Sequence, residues 1–383
     1  MKKNSRILIQ GAGVAGLACA IWLGRNGFRP VVVEKAPDIR ATGGFVICLS
    51  GASYRFADEL GMMPALKQRD TDIYSASYHN SKGSTLLRLD YKELFKGVDF
   101  IQITRDEIEI VLYENAKELA EYRFSTSASK IEQVDANKVQ VEFTDGKQEE
   151  FDLVIGADGL YSTIRKLAFE ESAVINHYLG LQVAAFKLEN IAGLKHKFEY
   201  HMDRNRYMVL YSNRDGKLGS VFLWKSDQRN PVPIDQRWKI LRESYQDASP
   251  LYKNVIEHFS DETPMYMDNL LQIEMKKWHK GRVVLLGDAA HCMTLLSGQG
   301  ATTAFIDASH LCKSLIAHEP EQSFKYYEQK MRPSISKIQP ATRKGAKWYI
   351  PETRARHFVR DSAMRYLPDS YFMHHFKKKY SRV

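Results

Sequence analysis

The chain has 383 residues, 44% apolar and 26% charged, which are ordinary values for a globular protein and exclude a disordered or collagen-like chain. At roughly 150 residues per domain the length suggests two to three domains, and no run approaches the ~18 apolar residues of a membrane-spanning helix. The net charge of +9 is concentrated: eleven Lys/Arg and three Asp/Glu lie between Thr342 and Val383, leaving the rest of the chain almost neutral. Cys19, Cys48, Cys292 and Cys312 are far apart without CxxC spacing, which argues against a zinc site or disulfide framework and for a reducing, cytoplasmic compartment. The basic start Met1-Lys2-Lys3 runs directly into a strand pattern, so no targeting segment is expected.

In chain order, Arg6 to Gln10 reads as a short buried strand, followed by a glycine motif and an apolar helix to about Asn26 with Gly27 as its C-cap. Pro30 to Glu34 is a second apolar strand, completing a βαβ unit. Lys67 to Phe100 alternates weakly, as strands and loops of another region. Thr104 to Leu119 is helical, with Thr104 and Glu107 spaced as a capping box. Val139 to Phe143 and Glu149 to Val154 flank a Gly146 turn and read as a hairpin. Strands recur at Gly180 to Phe186, Arg206 to Tyr211 and Gly219 to Trp224, so residues from about Asn176 to Leu271 read as an antiparallel sheet with helices. Nucleotide-type patterning resumes at Gly281. The basic C-terminal stretch shows helical spacing over Thr342 to Arg360 and Ser362 to Lys379.

Three strand–loop–helix corners carry chemistry. The first, Gly11-x-Gly13-x-x-Gly16, follows a strand and opens a helix, where glycines allow a tight turn and close approach of backbone N–H groups to a pyrophosphate. Glu34, 23 residues after Gly11, is placed to bind a ribose hydroxyl pair and disfavours a 2′-phosphate, which points to NAD or FAD. The second corner, Gly156-Ala157-Asp158-Gly159 with Ser162 and Arg165, reads equally well as a ligand corner or as a strand end with a good helix cap. The third, Gly287-Asp288-Ala289-Ala290-His291 followed by Ser297-Gly298-Gln299-Gly300, places an Asp at a strand's carboxyl end and bare backbone at a helix start, where an anionic group is stabilised.

Together, in this order, these motifs resemble the single-component FAD-dependent aromatic hydroxylases (class A flavoprotein monooxygenases) over nearly the whole chain. The resemblance implies an α/β fold: a Rossmann-like FAD-binding domain (residues 1–66, 101–175 and 272–340), an inserted β-rich substrate domain (67–100 and 176–271), and basic C-terminal helices (341–383). It implies that Gly11, Gly13, Ala15, Gly16, Glu34 and Lys35 hold the ADP half of FAD. Arg40, Gly44 and Arg105 would serve the diphosphate and ribose region, and Asp158 and Gly159 both FAD and a transient NAD(P)H. Asp288 would bind the ribityl chain or pyrophosphate, and Gly298, Gly300 and Ala301 would face the flavin ring. Two positions depart from the pattern: Leu295 stands where the family usually has proline, and Thr302 where it usually has asparagine.

A closer echo is of the tetracycline-inactivating branch, carried by Leu181-Gln182 and Asn205-Arg206-Tyr207-Met208, although no histidine stands on the Gly219 to Trp224 strand. It implies that Gln182 bonds a polar substrate and that Arg206 sits near the flavin edge. The class implies NAD(P)H reduction of FAD, reaction with O₂, and oxygen transfer from a C4a-hydroperoxide to an electron-rich ring, with no side-chain nucleophile. Met208, Tyr211, Phe222 and Trp224 are candidate aromatic-pocket residues, each also readable as plain sheet core. His291 is expected to orient its loop, and no metal is expected. Alternatives are a reductase or desaturase of the same fold, or a non-catalytic FAD-loaded binding protein; no WxWxIP-like halogenase segment is present. The basic C-terminus is expected to form helices packed on the body, with contact to an anionic membrane surface as a second reading and nucleic acid disfavoured. The partners are then a small aromatic substrate and O₂. Oligomeric state is not written in the sequence.

Overall fold

The computed structural model describes residues 1–39, 45–259 and 261–380, with side chains up to residue 377. Its first layer is a six-stranded sheet in the order His279–Lys280, Val283–Leu285, Leu153–Gly156, Arg6–Gln10, Arg29–Val33 and Glu121–Arg123. All neighbours are parallel except the antiparallel edge strand His279–Lys280. The central strands are buried along nearly their whole length, as parallel strands covered on both faces must be. Helix Val14–Arg25 packs on this sheet, and helix Gly300–Ala317 packs on that helix. A three-stranded antiparallel meander, Ala128–Gln133, Val139–Phe143 and Gln148–Phe151, adds Val139, Val141, Phe143 and Phe151 to the same core.

The stretch expected as one strand from Glu149 to Val154 is divided at Asp152, whose Oδ2 accepts the Arg6 N–H at 2.7 Å. Its first half closes the hairpin and its second half enters the parallel sheet, so one apolar run serves two sheets. The Thr104 capping box does not form. Thr104 is the N-cap of helix Arg105–Ala116, but its side chain caps no N–H, and Glu107 is drawn instead to Arg69 Nε at 2.8 Å.

The second layer is a seven-stranded sheet in the order Tyr266–Met275, Val174–Leu188, Leu218–Lys225, Arg206–Ser212, Lys197–Met202, Ser75–Asn80 and Thr85–Asp90. Neighbours are antiparallel except Lys197–Met202 against Ser75–Asn80. The early strands and the middle block therefore share one sheet despite the long sequence interval between them. Helices Arg237–Ser244 and Pro250–Glu257 contribute Trp238, Leu241, Tyr252 and Val255 to the core on its outer face. The inner face, turned toward the parallel-sheet layer, packs with Phe45, Cys48 and Leu296 and with the C-terminal helices through Tyr349, Met364, Phe372 and Phe376.

Helix Pro320–Tyr349 runs without a break across residues 340 and 341, so the basic segment is continuous with the body. The expected helix over Thr342 to Arg360 is interrupted before Pro351, where Ile350 leaves the helical backbone, as the residue ahead of a proline favours. Thr353 then caps a new one, its side chain accepting from the Arg356 N–H. The described C-terminal helices are accordingly Arg354–Tyr366 and Asp369–Tyr380, separated at Pro368. No helix among the described residues is long and apolar enough to cross a membrane.

Candidate functional site: a dinucleotide edge facing an inner sheet face

Strands Arg6–Gln10, Leu153–Gly156 and Val283–Leu285 are parallel neighbours, so the three sequence corners emerge side by side at one sheet edge. Their contact explains the glycines. Gly11 sits at φ +104°, and a Cβ there would lie 2.5 Å from the Ala157 carbonyl oxygen. A Cβ on Gly16 would lie 1.9 Å from the Gly11 carbonyl oxygen. Gly13 differs: within 4 Å a Cβ would meet only Glu109 Oε1, at 3.7 Å. Gly13 opens helix Val14–Arg25, which has no capping side chain and no acid in its first turn. Gly300 opens Gly300–Ala317 in the same uncapped way, with Gly298 left-handed before it and open space where a Gly300 Cβ would stand. Both bare helix N-termini stand by the Gly287 turn, which meets Ala15 of one helix and Ala304 of the other, a setting for phosphate or another anionic group. Ala15 packs against Gly287, its Cβ 3.5 Å from where a Gly287 Cβ would stand, and Ala301 packs on the same core.

Glu34 is held by two backbone N–H groups, Ala12 to Oε2 and Ala36 to Oε1, both at 2.9 Å. Each oxygen retains a lone pair for a sugar hydroxyl, while Lys35 beside it is exposed. Arg40 and Gly44 lie outside the described residues. Arg105 pairs through Nε with Glu109 Oε1 at 3.0 Å, and its charge is felt by both Tyr266 and Asp288. Burial pushes the Glu109 carboxyl up, and Arg105 opposes that rise. Asp288 is exposed, yet the surrounding protein mass raises its pKa against the pull of Arg105 and His291.

At the second corner the helix-cap reading applies. Asp158 accepts from Ser162 Oγ at 2.5 Å and from the Thr163 and Ile164 N–H groups at 2.6 and 3.1 Å. Gly159, at φ +75°, completes the turn. Arg165 is buried and bridges two motifs, donating to the Ala289 carbonyl at 2.8 Å and the Leu160 carbonyl at 2.5 Å.

Beneath the third corner Asp307 is fully buried. Its Oδ2 accepts the Gly287 N–H and meets His291 Nε2, each at 3.0 Å. His291 thereby orients the turn that carries Asp288, in line with the sequence expectation. Burial lowers its pKa, but the attraction of Asp307 prevails and raises it. Thr294, next along, has φ 66° and ψ 159°, a region almost reserved for glycine, which stores strain beside the Gly298 loop. Of the two departures from the family pattern, Leu295 lies partly exposed in a short 3-10 turn, while Thr302 donates to the Cys48 carbonyl at 3.0 Å.

Strand parity corrects the placement of most candidate substrate residues. Register pairs Gln182 and Arg206 each with Trp224, and Met208 with Phe222, so all five share one face. That face is the outer one, covered by Trp238, Tyr245 and Tyr252. Met208, Phe222 and Trp224 are packed core there. Arg206 is ion-paired with Asp247 and lies over the Tyr245 ring at 5.6 Å, not at a flavin edge. Gln182 is buried opposite Asn269. Of the set only Tyr211 lies on the inner face, against Phe198 with ring centroids 5.4 Å apart.

The inner face carries a polar group that sequence reasoning missed. Asp268 accepts from Tyr161 OH at 2.5 Å and Tyr266 OH at 3.2 Å, joining the second corner to strand Tyr266–Met275. Alternation of Tyr266 and Asp268 along a strand was the available signal. Nothing local announced that Tyr161 would reach them, or that Glu109 would stand beside Gly13.

A family model described as "FAD binding domain" matches residues 4–339 of this chain. The chain belongs to that family. A flavin-dependent monooxygenase of Legionella longbeachae serogroup 1 (strain NSW150) is 33% identical over 319 residues, covering 82% of this chain and 81% of the relative. The crystal structure of tetracycline destructase Tet(51) matches with TM-score 0.82 and 27% identity, covering 94% of this chain and 95% of that one. Klebsiella pneumoniae HpxO, complexed with FAD and uric acid, matches in fold with TM-score 0.85 at 19% identity, over 99% of this chain and 97% of that one. The protein is thus a flavin-dependent monooxygenase with the FAD-binding fold of its family.

Proposed function

We propose that the protein hydroxylates an aromatic or polycyclic phenolic compound, consuming NAD(P)H and O₂, with a tetracycline-type antibiotic as the most concrete substrate. The observation that carries this reading is the corner region itself: two uncapped glycine-led helix starts, the charges of Arg105 and Asp288 acting on each other, and Leu296, next to the Gly298 loop, packed in the inner-face core. The likeness to Tet(51) supports the choice of substrate class. Gly13 would admit the diphosphate, Glu34 the adenosine ribose, and Arg105 and Asp288 the diphosphate–ribityl stretch. Gly298, Gly300 and Ala301 would face the ring. When bound, FAD supplies the reduction and oxygen-activation chemistry. The chain's own part is to orient the substrate and keep water out, for which the apolar inner residues Val183, Val209, Tyr211 and Leu223 are suited. Four buried cysteines, none in a disulfide among the described residues, suit a reducing, cytoplasmic setting.

The test is NADPH consumption by purified protein in air, with and without tetracycline, the product being weighed for one added oxygen atom by mass spectrometry. Stimulated consumption with an oxygenated product is expected. Slow consumption indifferent to tetracycline would remove that substrate, and stimulated consumption with a product lacking added oxygen would favour the reductase or desaturase alternative. A protein that oxidises no reduced nicotinamide would overturn the whole reading.

A further inference from the structure

The outer surface of helix Arg354–Tyr366 is apolar where a solvated helix would be polar. Its buried positions are Arg360 and Met364, with the half-buried His357 one turn before them on the same side and Met364 in the inner-face core. Arg360 is fully buried and donates to the Tyr349 carbonyl at 3.0 Å, which fixes the helix's rotation. That rotation turns Ala355, Phe358, Val359 and Tyr366 outward. Phe358 is 72% exposed, Val359 57% and Tyr366 77%, and Leu367 and Tyr371 extend the exposed apolar surface past the helix end. Single exposed apolar residues are ordinary, but a run of large ones on one outward stripe marks an interaction surface.

The flanks of the stripe identify its partner. Helical spacing puts Arg354 and Arg365 along one border and Arg356 along the other, all three exposed, and none forms an ion pair among the described residues. We infer that this helix lies on an anionic lipid surface, with Phe358, Val359 and Tyr366 inserted at the headgroup boundary and Arg354, Arg356 and Arg365 against the headgroups. An amphipathic helix with aromatic residues on one face and arginines beside it has the composition of an interfacial helix. A second copy of this chain would bring the same cations against themselves, and a nucleic acid would have no use for the apolar stripe. The surrounding charge agrees, since the segment from Thr342 onward holds eleven Lys/Arg and only three Asp/Glu. Because the helix is anchored by its opposite face, docking needs no unfolding.

The test is co-sedimentation of the FAD-loaded full chain with vesicles of phosphatidylcholine alone and of phosphatidylcholine with phosphatidylglycerol, at low and at physiological salt. Binding to the anionic vesicles only, weakened by salt, is expected. The double variant Phe358→Ser/Tyr366→Ser and the charge variant Arg354→Glu/Arg365→Glu should each lower the bound fraction about tenfold or more, with thermal midpoint and FAD content unchanged because every altered side chain is exposed. No binding to anionic vesicles, or binding that the serine variant leaves intact, would overturn the inference. So would a wild-type dimer that the serine variant converts to monomer, since the stripe would then be a contact between copies. None of these outcomes depends on which substrate is oxidised.

Discussion

The three glycines of the first motif face different neighbours, and a methyl group separates their roles. At Gly11 and Gly16 it would overlap backbone at 2.5 and 1.9 Å, whereas at Gly13 it would enter open space beside Glu109. Gly11→Ala and Gly16→Ala should therefore destabilise the apoprotein by about 1–3 kcal/mol. Gly13→Ala should leave the apoprotein's melting midpoint nearly unchanged while raising the FAD dissociation constant, and Gly13→Val should abolish retention. Melting curves of stripped protein together with a flavin-fluorescence titration separate the two effects. A Gly13→Ala protein that purifies fully yellow would show that the diphosphate does not pass this residue. The three glycines look equivalent along the chain; Gly16 is set apart by the Gly11 carbonyl within the motif, and Gly11 by the Ala157 carbonyl, brought alongside from an element 146 residues further on.

Among the elements, parity along the strands was legible and the identity of each face was not. Alternation on Arg206–Ser212 and Leu218–Lys225 separates Met208, Phe222 and Trp224 from Tyr207, Val209 and Leu223, but both sets are apolar. Which set meets the corner region depends on where helices Arg237–Ser244 and Pro250–Glu257 fold back, and that is a long-range choice. The outer face also holds a titratable device. His201 on strand Lys197–Met202 stacks on His79 of the neighbouring strand at 5.1 Å, with Tyr252 on another side and Glu199 close by. Burial, helped by the His79 charge, lowers its pKa to about 4, against some opposition from Glu199. Unfolded, the same imidazole takes its proton near pH 6.5. The unfolded chain thus binds the proton first, so this contribution to stability is present above about pH 6.5 and lost as pH falls toward 4. Denaturant midpoints measured across that window should fall for the wild type and fall less for His201→Gln. Equal slopes would remove His201 as the cause.

Across the whole molecule, the two layers are joined at a seam held by helix Pro320–Tyr349. Gln339 is buried, and its Nε2 donates to the Ile273 and Cys292 carbonyls at 2.7 and 3.1 Å. Arg343 reaches Gln272 Oε1 at 2.7 Å, and Gln272 in turn donates to the Met293 carbonyl at 3.2 Å. The Cys292 and Met293 carbonyls belong to the segment between Asp288 and the Gly298 loop, and the Ile273 carbonyl to strand Tyr266–Met275 of the second layer. Gln339→Ala should therefore cost about 1–3 kcal/mol of stability, through the buried hydrogen bonds it removes, and should also weaken FAD retention. Calorimetry and the flavin titration check the two parts; a stability loss with FAD affinity unchanged would confine Gln339 to holding the seam.

The motifs themselves, the parallel strands that feed them and the class of cofactor could be read directly from the chain. Each depends on local conditions: a buried strand, a tight turn and a helix start within some fifteen residues, which impose the same geometry wherever they occur. The assignment of Gln182 and Arg206 to the flavin side could not be read that way, nor could the bridge from Tyr161 through Asp268 to Tyr266 or the outward stripe of helix Arg354–Tyr366. A side chain's face is set by the register of its strand and by what packs behind it. Here those are settled by contacts between residues 74–90, 174–275 and 320–377, whose mutual arrangement no local pattern encodes.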